Sequence, residues 1–132
     1  MDPKNLLYCE THEWVGITEE KNGEKTATVG ISKFALDQLT DLVYLELPEI
    51  GAQVAAGGEL AEVESVKAVS PIYSPVDGEV LEVNSDLVDD LDTLGADPYG
   101  KGWIVKMKVT DDSNLTKLLS YNDYQKQCAE HG

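Results

Sequence analysis

Short runs rich in β-branched residues recur along this chain, each stopped by glycine, proline or asparagine, and that rhythm restricts it to folds made of many short strands. Glu13 to Thr18 and Lys25 to Gly30 flank Lys21-Asn22-Gly23, whose Asn-Gly pair tolerates positive φ and predicts a hairpin turn. Strand patterns return over Leu42 to Leu47, Glu59 to Val69, Ile72-Tyr73, Glu79 to Val83 and Trp103 to Val109. Val80 to Val83 and Ile104 to Val109 alternate as half-buried strands do, one face on a core and the other in water. The expected fold is mainly β, a flattened barrel or sandwich.

Helices decorate this frame. Ser32 can cap a short one in which Phe34, Ala35, Leu36 and Leu39 recur at helical spacing, ending near Thr40. The acidic stretch from Asp86 to Asp92, followed by Asp97-Pro98-Tyr99-Gly100, reads as a turn of helix and a surface loop. Asp111-Asp112-Ser113 can cap a helix over Asn114 to Leu119, and Tyr121 to Ala129 forms a second amphipathic segment. The expectation is one domain over residues 1–132, with a hairpin core at about 42–109 and C-terminal helices at about 111–129, since a chain of this length buries a real core.

Charge narrows the partners. Against 25 acidic residues stand 10 basic ones, all lysine, for a net charge of −15. Phosphate backbones and anionic lipid surfaces repel such a chain, which argues against nucleic acid and membrane surfaces and favours partners with basic faces. No run approaches the roughly 20 apolar residues of a membrane span. Met1 to Tyr8 has neither a signal pattern nor the arginines of a transit peptide, so the expected location is cytoplasmic, or the mitochondrial matrix if a transit peptide has been removed. Cys9 and Cys128 lack the C-x-x-C spacing of metal and redox sites; incidental thiols in a reducing compartment and a disulfide tying the two ends both fit. With no paired carboxylates, metal cluster, nucleophile motif or phosphate-binding glycine loop, no catalytic residue and no metal site are expected.

The segment Glu62-Val63-Glu64-Ser65-Val66-Lys67-Ala68-Val69-Ser70-Pro71 is an alternating strand that must turn back before Ile72-Tyr73-Ser74-Pro75. Lys67 is the only lysine between Lys33 and Lys101. A lone lysine is ordinarily just an exposed side chain, so its surroundings carry the argument. Gly51 through Val83, with turns at Gly57-Gly58-Glu59-Leu60 and Ser74-Pro75-Val76-Asp77-Gly78, resembles the lipoyl and biotinyl carrier family. Glu64-Ser65-Val66-Lys67-Ala68 has neither the methionines usual beside a biotinylated lysine nor the aspartate usual before a lipoylated one in 2-oxo acid dehydrogenases. It is instead similar to the glycine cleavage H-protein family. Thr11-His12-Glu13-Trp14-Val15, Thr28-Val29-Gly30-Ile31, Leu45-Glu46-Leu47-Pro48-Glu49-Ile50-Gly51 and Asp97-Pro98-Tyr99-Gly100-Lys101-Gly102-Trp103 extend the likeness over nearly the whole chain.

That resemblance implies a non-catalytic, monomeric carrier with lipoic acid joined to Lys67 through an amide, which removes the lysine charge. It implies an arm that accepts an aminomethyl group and travels among the P, T and L proteins: glycine decarboxylase, aminomethyltransferase and dihydrolipoamide dehydrogenase. A lipoate ligase or lipoyl/octanoyl transferase would load it. Glu64 falls at a position associated with presenting the lysine, with Ser65, Val66 and Ala68 beside it; as a plain residue Glu64 would be a solvated strand carboxylate. Thr11 and Glu13 match positions lining a cleft that shelters the arm, and plain strand-surface roles fit them equally. Many members carry a histidine where this chain has Phe34 and an aspartate where it has Pro71, so its cleft is expected to shelter the arm differently. His12, with no second ligand at useful spacing, is expected to pack or hydrogen-bond near Trp14. Two other readings stand beside the carrier: a relay that donates lipoyl groups to other enzymes, and an unmodified acidic binding module.

Overall fold

The alternating segments assemble into two antiparallel sheets in the computed structural model, which describes residues 3–20, 22–39, 41–66, 68–111, 115 and 117–131. The strands are β1 (Leu7–Tyr8), β2 (Glu13–Glu19), β3 (Lys25–Ile31), β4 (Leu42–Glu46), β5 (Gln53–Val54), β6 (Glu59–Ser65), β7 (Val69–Tyr73), β8 (Asp77–Val83) and β9 (Val105–Asp111). One sheet has the order β1-β2-β3-β9-β8-β5 and the other β4-β6-β7. Neither closes on itself, so the expected mainly β fold is realised as a sandwich. Val15, Val29, Leu45, Val63, Val80 and Met107 fill the space between the sheets. Each buried aliphatic side chain there contributes about 1.5–3 kcal/mol through removal of apolar surface from water.

Local chemistry accounts for several joints. In the β2–β3 turn, Glu20 N–H donates to Glu24 C=O (2.7 Å) and Gly23 N–H to Glu20 C=O (3.0 Å), with Gly23 at φ 86°. Those two bonds close the turn, and Gly23 takes a left-handed position where glycine meets no steric penalty. Lys21 lies outside the described residues. Ser32 caps α1 (Lys33–Leu39) as its sequence predicts: its hydroxyl accepts from Ala35 N–H (3.3 Å), and its carbonyl accepts from Leu36 N–H. The expected helix end at Thr40 lies outside the described residues.

Other expectations are corrected. The strand expected over Glu59 to Val69 is two strands, because the chain reverses after Ser65 and Val69 already belongs to the return. The acidic stretch opens with the expected turn of helix, α2 (Asp86–Asp89), and Asp97 to Gly100 is the expected loop, but a second helix, α3 (Leu91–Ala96), stands between them, and the two helices bury Leu87 and Leu94 in the core. Leu119 is not helical. It bridges to Tyr8, with Tyr8 N–H to Leu119 C=O at 2.8 Å and the reverse bond at 2.7 Å. Residue 111 is still in β9; Asp112, Ser113 and Asn114, the remainder of the expected cap and helix start, lie outside the described residues with Thr116.

The final helix, α4 (Tyr121–His131), packs on the outer side of β1 and β2 in an aromatic cluster of Tyr8, Trp14, Tyr124, Leu6 and Cys128. Trp14 is fully buried, lies directly over Gly30, where any Cβ would come within 2.5 Å of the indole, and donates its ring N–H to Pro98 C=O at 3.0 Å. Cys9 and Cys128 are both free, so no disulfide ties the ends. No helix of the described residues is long and apolar enough to cross a membrane.

Candidate functional site

The β6–β7 hairpin pairs Glu62 with Pro71, Val63 with Ser70 and Glu64 with Val69, and then closes abruptly. Ser65 N–H donates to Ala68 C=O at 2.8 Å. The buried Ser65 hydroxyl accepts from Ala68 N–H (3.2 Å) and sits 3.3 Å from Ala68 C=O, to which it donates. One side chain thus clamps the turn from inside. Val66 N–H donates to Asp41 C=O at 3.0 Å, which ties the tip to the start of β4, while the Val66 side chain is 67% exposed and Ala68 is exposed too. Lys67 itself lies outside the described residues. Glu64, half-buried on the outer face, stands between Tyr44 and Val69 in the sheet register. Glu62 next along that face is raised above its ordinary carboxylate value by desolvation, and then by the charges of Glu59, Glu46 and Glu64.

Alongside β7 runs a cleft of about 180 Å³. Its apolar lining includes Ile31, Leu39, Val63 and Ile72, while Thr11 and Glu13 supply one wall and Pro71 the rim. β7 is the edge strand of its sheet. An edge leaves amides bare, and two devices remove that liability here. Tyr73 N–H donates to Glu13 Oε1 at 3.2 Å, and Pro71, two residues back on the same side, has no N–H to leave unpaired. Because β7 rises ~3.3 Å per residue, the stretch from residue 68 to 72 spans only about 13 Å, a reach within that of a lysine lengthened by a fatty-acyl arm. A larger hollow of about 590 Å³ lies beyond Thr11, against Cys9, Tyr73 and Pro75. Glu10 and Lys117 line it but Glu13 does not, so the buried carboxyl faces the smaller cleft.

Glu13 is not a strand-surface residue: only 2% of it is exposed. Burial raises its carboxyl to about 7, against the smaller lowering effects of the Thr11 hydroxyl, Tyr73 N–H and its own backbone. Thr11 Oγ1 donates to the same oxygen as Tyr73, at 2.6 Å. A carboxyl held at this balance changes charge at little cost, and a cation brought beside it would draw it fully into the ionised form. The Cys9 thiol, pushed up to about 12 by burial and by Glu13, stays protonated and is a poor nucleophile.

Between Thr11 and Glu13, His12 adopts φ 78°, the one left-handed non-glycine among the described residues. For a histidine this costs roughly 1–2 kcal/mol. As expected, it packs and hydrogen-bonds near Trp14, through two members of that residue's cluster: its Nδ1 is 2.7 Å from the Tyr124 hydroxyl, and its ring lies 5.0 Å from that of Phe34. Phe34 therefore backs His12 and does not line the cleft, whereas Pro71 does. Sequence reasoning missed Tyr73, whose contribution is a backbone amide, and Tyr124, which sits 112 residues from His12. Neither leaves a local pattern that could reveal it.

The sequence and the fold are ones that known proteins share. Residues 6–131 match the family described as Glycine cleavage H-protein. A glycine cleavage system H protein of Rhodopirellula baltica is 56% identical over 131 residues, covering 99% of this chain and 98% of that one. Another, from Acinetobacter baumannii, is 50% identical over 123 residues, covering 93% of this chain and 95% of its own. The crystal structure of a glycine cleavage system H protein from Mycobacterium marinum superposes with a TM-score of 0.85 at 37% identity, over 96% of this chain and 98% of the other. The chain belongs to the glycine cleavage H-protein family.

Proposed function

We propose that this chain is the lipoyl carrier of the glycine cleavage system, a single non-catalytic unit that carries an aminomethyl cargo among the P, T and L proteins. Lipoic acid is attached to Lys67 through an amide by a lipoate ligase or a lipoyl/octanoyl transferase. When bound, the lipoyl group supplies a dithiolane that takes up and releases cargo and electrons. The protein's own residues supply the rest. Ser65 and the Val66–Asp41 bond hold the hairpin tip rigid, so that an arm tethered there reaches each partner at high effective concentration. Exposed Val66 and Ala68, with Glu64 beside them, present Lys67 to the loading enzyme. Thr11 and Glu13 form the polar wall of the cleft into which the arm folds.

The observation that carries this reading is the buried Glu13 carboxyl, the one acidic group in a cleft beside the hairpin whose lining mixes Ile31, Leu39, Val63 and Ile72 with the polar Thr11, His12, Gln38 and Ser70. An arm bearing an amine would fit that pairing: Leu39, Val63 and Ile72 would hold its alkyl length, and Glu13, the one carboxyl of the cleft lining, would hold its positive end. The acidic surface suits partners with basic faces and an aqueous compartment, the cytoplasm in the bacterial relatives' setting or the matrix where a transit peptide has been removed. The test is exchange of the glycine carboxyl carbon with bicarbonate, catalysed by a cognate P protein and supported by the lipoylated chain. Exchange that requires both lipoylation and Lys67 is expected; a lipoylated chain that supports none with its cognate decarboxylase would overturn the assignment in favour of a lipoyl relay.

A further inference from the structure

Two turns of this protein have the same hydrogen-bond pattern but different residues at the demanding position. In the β2–β3 turn, Glu20 N–H meets Glu24 C=O and Gly23 takes the left-handed place at φ 86°. In the β1–β2 turn, Cys9 N–H donates to Glu13 C=O (2.9 Å), His12 N–H donates to Cys9 C=O (3.0 Å), and His12 takes that place at φ 78°. Glycine is the unstrained choice there, so a histidine is stabilised by what its ring does. The ring is held on two sides. Phe34 lies 5.0 Å away at a tilt, and Tyr124 of α4 meets it edge-on with its hydroxyl 2.7 Å from Nδ1. The Tyr124 hydroxyl is held in turn by the Ser32 hydroxyl at 2.6 Å, while its ring stacks flat on Tyr8 at 4.5 Å.

We infer that Tyr124 is a positioning residue for the arm cleft: through His12 it fixes the strained turn that sets the Thr11–Glu13 pair against the edge of β7. His12 is the link because it lies between the two residues that it positions, and because its own carbonyl accepts from Ser32 N–H at 2.9 Å. The C-terminal helix thereby controls a site to which it contributes no lining residue. This rests on the carrier reading only for the use to which the cleft is put. The Tyr124–His12–Glu13 coupling is a property of the unmodified chain.

The readout is the titration of the Glu13 side-chain carboxyl, followed by carboxyl-detected NMR on the unlipoylated protein. The ionisable groups of its own turn are His12, Cys9 and Glu10, of which Glu10 faces the larger hollow; α1, β3, β6 and β7 bring none into the cleft among the described residues. Tyr124→Phe deletes the hydroxyl and keeps the ring stacked on Tyr8. It is expected to let the turn relax and admit water, so that the Glu13 midpoint falls by about one unit or more towards its ordinary value. His12→Gly, which suits the left-handed backbone but removes the ring, is expected to do the same. Leu87→Ala, a core truncation on α2, which contributes nothing to the cleft, should lower stability and leave the Glu13 midpoint in place. An unmoved midpoint in Tyr124→Phe, an equal shift in Leu87→Ala, or a shift in Tyr124→Phe without one in His12→Gly would each overturn the inference. If Tyr124→Phe does not fold, His12→Gly decides alone. Loss of lipoylation at Lys67 would sink the carrier reading without touching this result.

Discussion

Replacing Glu13 by glutamine keeps an acceptor for Thr11 and Tyr73 while removing the charge, and its consequences should depend on pH in a calculable way. Burial holds the Glu13 carboxyl at about 7, against 4.5 for the same group in the unfolded chain. The folded state therefore binds this proton more tightly, so the stability linked to it is complete below the unfolded value and is lost as pH rises through 7. At about 1.4 kcal/mol per unit, the loss between pH 5 and pH 8 is on the order of 2–3 kcal/mol. The residue is 2% exposed, so solvent screening does not discount the figure much. Urea denaturation of both proteins across this range isolates the effect, because the other carboxylates contribute equally to each. The stability of Glu13→Gln relative to wild type should rise by roughly 2–3 kcal/mol from pH 5 to pH 8, or about 10 °C in Tm. A difference that stays flat to within about 0.5 kcal/mol would mean that Glu13 is not held in a desolvated site, and the account of the cleft would fail.

Two further outcomes follow from named contacts. Ser65→Ala removes the hydroxyl that accepts from Ala68 N–H, so hydrogen exchange at that amide should quicken by about fivefold or more, the equivalent of roughly 1 kcal/mol, with global stability changed less. Gly30→Ala places a methyl within 2.5 Å of the buried Trp14 indole and should cost about 1–3 kcal/mol by denaturant unfolding, with a shift in tryptophan emission as the ring is displaced.

Where the sequence was readable, a local device did the work. Asn22-Gly23 marks its turn because glycine fits φ 86°, and Ser32 marks a helix start because its hydroxyl reaches Ala35 N–H. The hairpin tip was expected at Lys67 from the resemblance, but the strand pattern from Glu59 to Val69 does not mark it, because the turn is closed by a serine side chain instead of a glycine or proline. β1 and β5, at two residues each, are too short to show a period. Leu87 and Leu94 were hidden in a run of aspartates whose charges point outward while the leucines enter the core. The cleft was only half legible. Thr11, Glu13 and Pro71 were reached through resemblance, but the burial of Glu13 depends on the edge amide of Tyr73, 60 residues away, and the shape of its turn on a tyrosine in the last helix. Those are consequences of packing, and no period or spacing encodes them.

The central claim is covalent attachment at Lys67, and intact mass after expression with lipoate and a lipoate ligase addresses it without any partner enzyme. The wild-type chain should gain the mass of one lipoyl amide, and Lys67→Ala should gain nothing while keeping a folded circular dichroism spectrum. A folded wild-type chain that stays unmodified under those conditions, or a Lys67→Ala chain that is still modified, would contradict the account.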